Sequence, residues 1–269
     1  MGRAPARLVV ALLAGGLALA APAAAGLADR VGATFVLMAA DFVKAAHPLE
    51  GLVVSVDGDL IYTDLGEAAG AQAGQELTVF RIGEPFHHLF TGKMLGHYED
   101  VLGWVQIRRV DKEFSEGVFI PLRDRPRPQV ADGVRISRGR IRIAITPVLD
   151  LTNGTADVRR VPYLIASVLE RSKRFQVVDP LAVSDMFANG TVSIEQVLAR
   201  PERAIRVARN LEVSGWLVPV LLERRGVIYL DTTWISAVTG MALLSRRLPL
   251  LSGGVAEEQR FPWEPRPED

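Results

Sequence analysis

No cysteine occurs anywhere in the 269 residues. That excludes disulfide staples, thiolate nucleophiles and cysteine-ligated zinc or iron–sulfur centres, and it leaves no thiol to carry a lipid anchor. Nor is charge of one sign in excess: 31 Lys and Arg stand against 31 Asp and Glu. No net positive field gathers nucleic acid, so neither DNA nor RNA is expected as a partner. Histidine is scarce, at 4 residues, and aromatics make up only 7%. After the first 25 residues no apolar run approaches the roughly 20 that a bilayer span needs. What remains, 49% apolar and 23% charged, is a globular composition in one or two domains.

Residues 1–25 read as a secretory signal. Arg3 and Arg7 form a positive start, residues 8–20 are Leu, Val, Ala and Gly, and Ala23, Ala24 and Ala25 offer small side chains for cleavage. The expectation is export, cleavage and a periplasmic location; an uncleaved anchor is the bland alternative. Residues 26–48 form an amphipathic helix, because Leu27, Val31, Phe35, Met38 and Phe42 recur at helical spacing. That stripe docks either on the protein's own sheet or on a partner.

From Gly51 the apolar period changes from helical to two. Leu52, Val54 and Val56 alternate with more polar neighbours, Asp57-Gly58 signals a type I′ hairpin, and residues 60–65 continue as a strand. Further short strands are expected over 76–82, 94–98, 101–110 and 117–121, with 85–92 as a loop. Arg123, Arg125 and Arg127, with Pro126 and Pro128, mark an extended, exposed linker over 123–138. The second half alternates strand and helix before ending in three consecutive strands, an order that implies helices on a mixed sheet. The fold class is therefore α+β: a small N-terminal β-barrel (49–122) followed by an α/β sandwich with a mixed sheet (139–252). Residues 253–269 are polar and proline-rich and read as a disordered tail.

Residues 51–56 (GLVVSV), 61–66 (IYTDLG), 73–81 (AGQELTVFR), 91–96 (TGKMLG) and the strand 105–110 resemble the C-terminal domain of flagellar assembly protein T, a small β-barrel of an envelope ring component. Residues 143–147 (IAITP), 175–180 (FQVVDP), 211–215 (LEVSG) and 238–240 (VTG) are similar to an α/β domain of several envelope proteins. These are the Tol-Pal propeller protein, the curli secretion channel protein, the lipoprotein activators of peptidoglycan synthases and, again, flagellar assembly protein T. The resemblance implies docking and assembly modules with no catalytic residues to carry over. The order here is barrel first, the reverse of that in flagellar assembly protein T.

The strongest candidate for chemistry is His87 and His88, with His97, Glu99 and Asp100 close by in sequence. Adjacent histidines point to opposite sides of an extended chain, so a shared metal is disfavoured. Ser115, Ser137, Ser167 and Ser214 lack a nucleophile-elbow context. Gly66, Gly70 and Gly74 match neither a dinucleotide fingerprint nor a P-loop, and Asp150 and Asp157 lack the alternate spacing of a calcium loop. Trp104, Trp216 and Trp234 read as core or sheet-face residues.

The densest charge is arginine: Arg123, Arg125, Arg127, Arg135, Arg138 and Arg140, with Arg142 beside them. The first six are candidate partner contacts, and a solvated strand edge explains them equally well. The expected function is non-enzymatic binding of other envelope proteins, with no cofactor and no metal, and with contact to the membrane periphery or outer membrane open. Flagellar basal-body assembly is the first reading. Regulation of a peptidoglycan synthase or secretion machine, and an unrecognised hydrolase around His87, His88 and His97, are the alternatives. Oligomeric state is left open.

Overall fold

A computed structural model describes residues 26–154, 157–190 and 192–251. The expected signal (1–25) and polar tail (253–269) lie outside the described residues. The first element is helix α1 (Leu27–Ala45). Val31, Phe35, Met38 and Phe42 of its stripe are buried. They pack with helix α2 (Val161–Arg171) against Ile143, Ile145, Phe175, Leu217 and Trp234, all from the second half of the chain. Each such side chain removed from water contributes roughly 1.5–3 kcal/mol, which commits α1 to the sandwich across the whole intervening barrel. Both ends of the described chain meet here. Arg30 Nε donates to Leu251 O at 2.6 Å, and Leu251 N donates to Thr34 Oγ1 at 3.1 Å.

Six strands follow: β1 (Leu49–Asp57), β2 (Leu60–Thr63), β3 (Glu76–His87), β4 (Met94–Val110), β5 (Ser115–Pro121) and β6 (Gly133–Ile136). They close into a ring in the order β1-β2-β5-β4-β3-β6, a small barrel, with every pairing antiparallel. Side-chain alternation fills the interior with Leu77, Val79, Val105, Ile107 and Val134. The same alternation puts Arg135, Thr78, Trp104 and Ile120 in one cross-strand row outside, each directly opposite the next.

Three features depart from expectation. The two-residue hairpin loop is Gly58-Asp59, one position later than the Asp-Gly signal. Only Gly58 has positive φ, at 60°, which fits a type II′ turn and not I′. Residues 133–136, inside the expected linker, form β6, which bridges β1 and β3 and so closes the barrel. The chain before β6 is exposed but not free: Ala131 N donates to Val53 O at 2.9 Å, and Arg81 Nη2 donates to Arg127 O at 3.2 Å. The true connection between barrel and sandwich is therefore residues 137–140. Finally, 85–92 is only partly a loop, because β3 and β4 run on past Pro85. A proline is tolerated there because β3 has left β6 behind, and one of its edges faces solvent.

The sandwich sheet holds β7 (Ile141–Ile145), β8 (Leu149–Leu151), β9 (Phe175–Val177), β10 (Gly215–Arg224), β11 (Val227–Ser236) and β12 (Ala242–Pro249). Its order is β12-β11-β10-β7-β9, with β8 also paired to β10. The pairs among β7, β8, β9 and β10 are parallel, and those joining β10, β11 and β12 are antiparallel, so the sheet is mixed. Helices α1 and α2 cover the face bearing Ile143, Ile145 and Leu217. The other face bears Ala144, Trp216 and Val218. It is covered by α3 (Pro180–Ala188), α4 (Ile194–Ala199) and α5 (Pro201–Leu211). Asp179 and Ser193 cap α3 and α4 by accepting from Leu181 N and Gln196 N.

Candidate functional site

Barrel and sandwich meet along a polar seam that begins where α1 ends. Arg174, 8% exposed, donates to three backbone carbonyls. Nε reaches Ala46 O at 2.5 Å, Nη2 reaches Ser137 O at 2.6 Å, and Nη1 reaches Gly139 O. One guanidinium thus ties the end of α1 and the inter-module connection to the sandwich. Burial pulls its pKa down from the ordinary arginine value, and the carbonyl dipoles offset that cost.

The loop before β3 supplies the rest of the seam. A Cβ on Gly74 would stand 2.3 Å from Leu243 O, and its φ is +91°, so only glycine lets this backbone touch β12. Gln75 Nε2 donates to Ala45 O at 3.0 Å. The Ser236 hydroxyl donates to both Glu76 oxygens, at 3.0 and 2.9 Å, while accepting from Val238 N and Thr239 N. Burial raises the Glu76 carboxyl above its usual value, against the opposing hydrogen bonds from Ser236 and Thr239. No signal in the sequence singled out Arg174 or Gly74 for this work, because both act across long sequence separations.

Beside the seam opens a cleft of about 780 Å³, within the size range of ligand sites. The outer row of the barrel, Trp104 and Ile120 with Arg135, forms one wall; Trp234, Leu243 and Leu244 form the other. Two shielded donors on lining residues, Gln72 Nε2 and Trp234 Nε1, have no hydrogen-bond partner among the described residues. Arg209, in the last turn of α5, also lines the cleft.

The six arginines singled out from the sequence separate into two groups. Arg123 and Arg135 line this cleft. Arg123 is almost wholly exposed, with Asp124 3.8 Å away. Arg135 lies with its guanidinium 4.2 Å from the Phe80 ring centroid and donates to both oxygens of Glu99, at 2.9 and 2.5 Å. That pairing lowers the Glu99 carboxyl pKa. The other four are engaged elsewhere: Arg125 with Asp100 at 3.5 Å, Arg127 with Asp59 at 2.8 Å, Arg138 with Glu50 at 3.4 Å, and Arg140 with Phe175 O at 2.7 Å. They hold the chain to the barrel and sandwich. Exposed pairs of this kind are each worth about 0–1 kcal/mol.

The histidine cluster lies on a ribbon that leaves the barrel. The last rungs shared with the ring are Phe80 with Gly133 and Gly103 with Pro121, so residues 81–100 form a two-stranded projection. About seven residues a side carry it roughly 20 Å outward. His88 Nδ1 accepts from Phe90 N and Thr91 N, both at 3.2 Å, and Gly92 N donates to His88 O at 2.9 Å. His97 Nδ1 lies 3.2 Å from Gly83 O. His88 therefore braces the turn. Among the described residues no three His, Asp or Glu converge on a metal position. The turn presents Leu89 at 96% and Phe90 at 95% exposure, with Met94, Leu95 and Tyr98 more than half exposed behind them.

No protein-family model matches the chain, and no curated protein matches it either. Among solved structures, the chain is similar to the LpoB C-terminal domain from Salmonella enterica. Identity is 18% and the TM-score 0.35, over 41% of this chain and 82% of that one. An NMR structure of Escherichia coli LpoB gives 19% and 0.35, over 41% of this chain and 56% of that one. The lipoprotein GNA1162 from Neisseria meningitidis gives 18% and 0.32, over 42% and 81%.

Proposed function

We propose that this chain is an exported envelope protein that acts by binding. Its cleft receives an extended segment of another envelope protein, and its role is regulation of a peptidoglycan synthase or secretion machine. The observation that carries this reading is the cleft itself, about 780 Å³ with apolar walls from both barrel and sandwich and with Arg123 and Arg209 among its lining. The apolar side chains of an extended peptide fit between Trp104, Ile120 and Leu243. Arg123 and Arg209 favour a segment that carries carboxylates.

The signal-like residues 1–25 support the envelope location. The resemblance of residues 143–147, 175–180, 211–215 and 238–240 to the envelope α/β domain supports the regulatory role. Flagellar assembly is the weaker reading because the module order is reversed. The test is reconstitution. The purified protein, added to purified peptidoglycan synthases of the same organism, is expected to change the rate of glycan polymerisation, and Arg123→Glu with Arg209→Glu is expected to abolish that change. An unaltered rate with every synthase, with loss of swimming on gene deletion, would return the chain to flagellar assembly.

A further inference from the structure

We infer that the tip of the β3–β4 ribbon is a membrane-contacting element that inserts Leu89 and Phe90 into an anionic phospholipid surface. The inference requires only that the chain reach the envelope; it does not depend on what the cleft binds. Leu89 and Phe90 sit side by side at the far end of the projection, with almost all of their surface in solvent. An adjacent aliphatic–aromatic pair exposed to that degree marks a contact surface. The turn is held by Phe90 N and Thr91 N donating to the His88 ring and by His88 N donating to Lys93 O at 2.8 Å. Little conformational freedom is therefore lost when the tip meets its target.

Charge selects the occupant. Residues 85–98 contain no carboxylate and one fixed cation, Lys93, whose backbone O accepts from His88 N within the tip; exposed Glu84 lies just outside this span, toward the base. Of the ribbon's three carboxylates, Glu99 is partly neutralised by Arg135 and Asp100 by Arg125, while Glu84 is exposed on the strand before Pro85. An apolar tip backed by a cation is the arrangement that suits an anionic headgroup layer, where apolar groups seat about 5–10 Å deep. A reach of roughly 20 Å lets the tip touch the layer while the barrel stands clear of it. Among the described residues no helix is long and apolar enough to cross a membrane.

The test is co-sedimentation of the purified protein with vesicles of equimolar phosphatidylglycerol and phosphatidylethanolamine, with phosphatidylcholine vesicles alongside. The wild-type protein is expected to bind the anionic vesicles more tightly than the zwitterionic ones. Leu89→Ser with Phe90→Ser is expected to weaken binding at least about tenfold, and Lys93→Glu is expected to weaken it on the anionic vesicles only. Thermal unfolding of both variants checks that the fold is kept. Absent wild-type binding, or equal binding by wild type and the double variant, would overturn the inference. So would self-association in sedimentation that the double variant abolishes without any vesicle binding, which would assign the tip to a second copy of the chain.

Discussion

At the seam, Arg174, Gln75 and Glu76 are polar, shielded from water and hydrogen-bonded to another element. At the ribbon tip, Leu89 and Phe90 are apolar and almost wholly in water, with Phe90 meeting only the His88 ring of its own turn. Each region inverts the ordinary placement of its residue type, and the two inversions have opposite consequences. A buried polar group with its partners in place fixes one geometry, because any other arrangement leaves it unsatisfied. The seam therefore holds the cleft walls in register. An exposed apolar pair adds nothing to folding and is available for contact. Stability should be sensitive to the first region and indifferent to the second.

The sharpest way to break that contrast is Arg174→Ala. It orphans the carbonyls of Ala46, Ser137 and Gly139 at once, and we expect a loss of about 3 kcal/mol in urea-unfolding free energy. A loss below about 1 kcal/mol would mean that the seam does not fix the modules.

This contrast also separates what the sequence revealed from what it concealed. The α1 stripe was legible because Val31, Phe35, Met38 and Phe42 repeat at one helical period, and local periodicity is all that a buried face needs. The barrel was legible through its alternating strands and glycine turns. What escaped were groups whose partners lie far away in the chain: Arg174 with Ala46, Gly74 with Leu243, and β6 hidden in an arginine-rich stretch that looked like a linker. Pro85 concealed the ribbon, because proline signals a loop unless the strand's open edge is known. Of the arginine cluster, charge density pointed to six candidates, and only the fold separated Arg123 and Arg135 at the cleft from the four held elsewhere.

Glu76 gives a smaller effect with a defined sign. Its folded pKa is raised above the ordinary 4.5 by burial, so between that value and the raised one the folded protein keeps a proton that the unfolded chain has lost. Stability should then fall as pH rises through this window and level off above it. Glu76→Gln keeps a partner for Ser236 and removes the titration, so urea midpoints followed from pH 4 upward should lose that decline. A decline of the same size in the variant would remove Glu76 from the account. Smallest of all should be Leu89→Ser with Phe90→Ser, which we expect to shift unfolding free energy by no more than about 0.5 kcal/mol. A larger loss would show that the tip packs against something in the free protein.

The central claim, that a partner's segment lies in the cleft, is tested most directly by photocrosslinking in living cells. A photoreactive amino acid at Ile120 of the barrel or at Leu243 of the sandwich, both lining the cleft, is predicted to give one and the same adduct with an envelope protein. The same probe at Tyr163 on α2, away from the cleft, is predicted to give none. Adducts from Tyr163 alone, or none from either cleft position, would contradict the account.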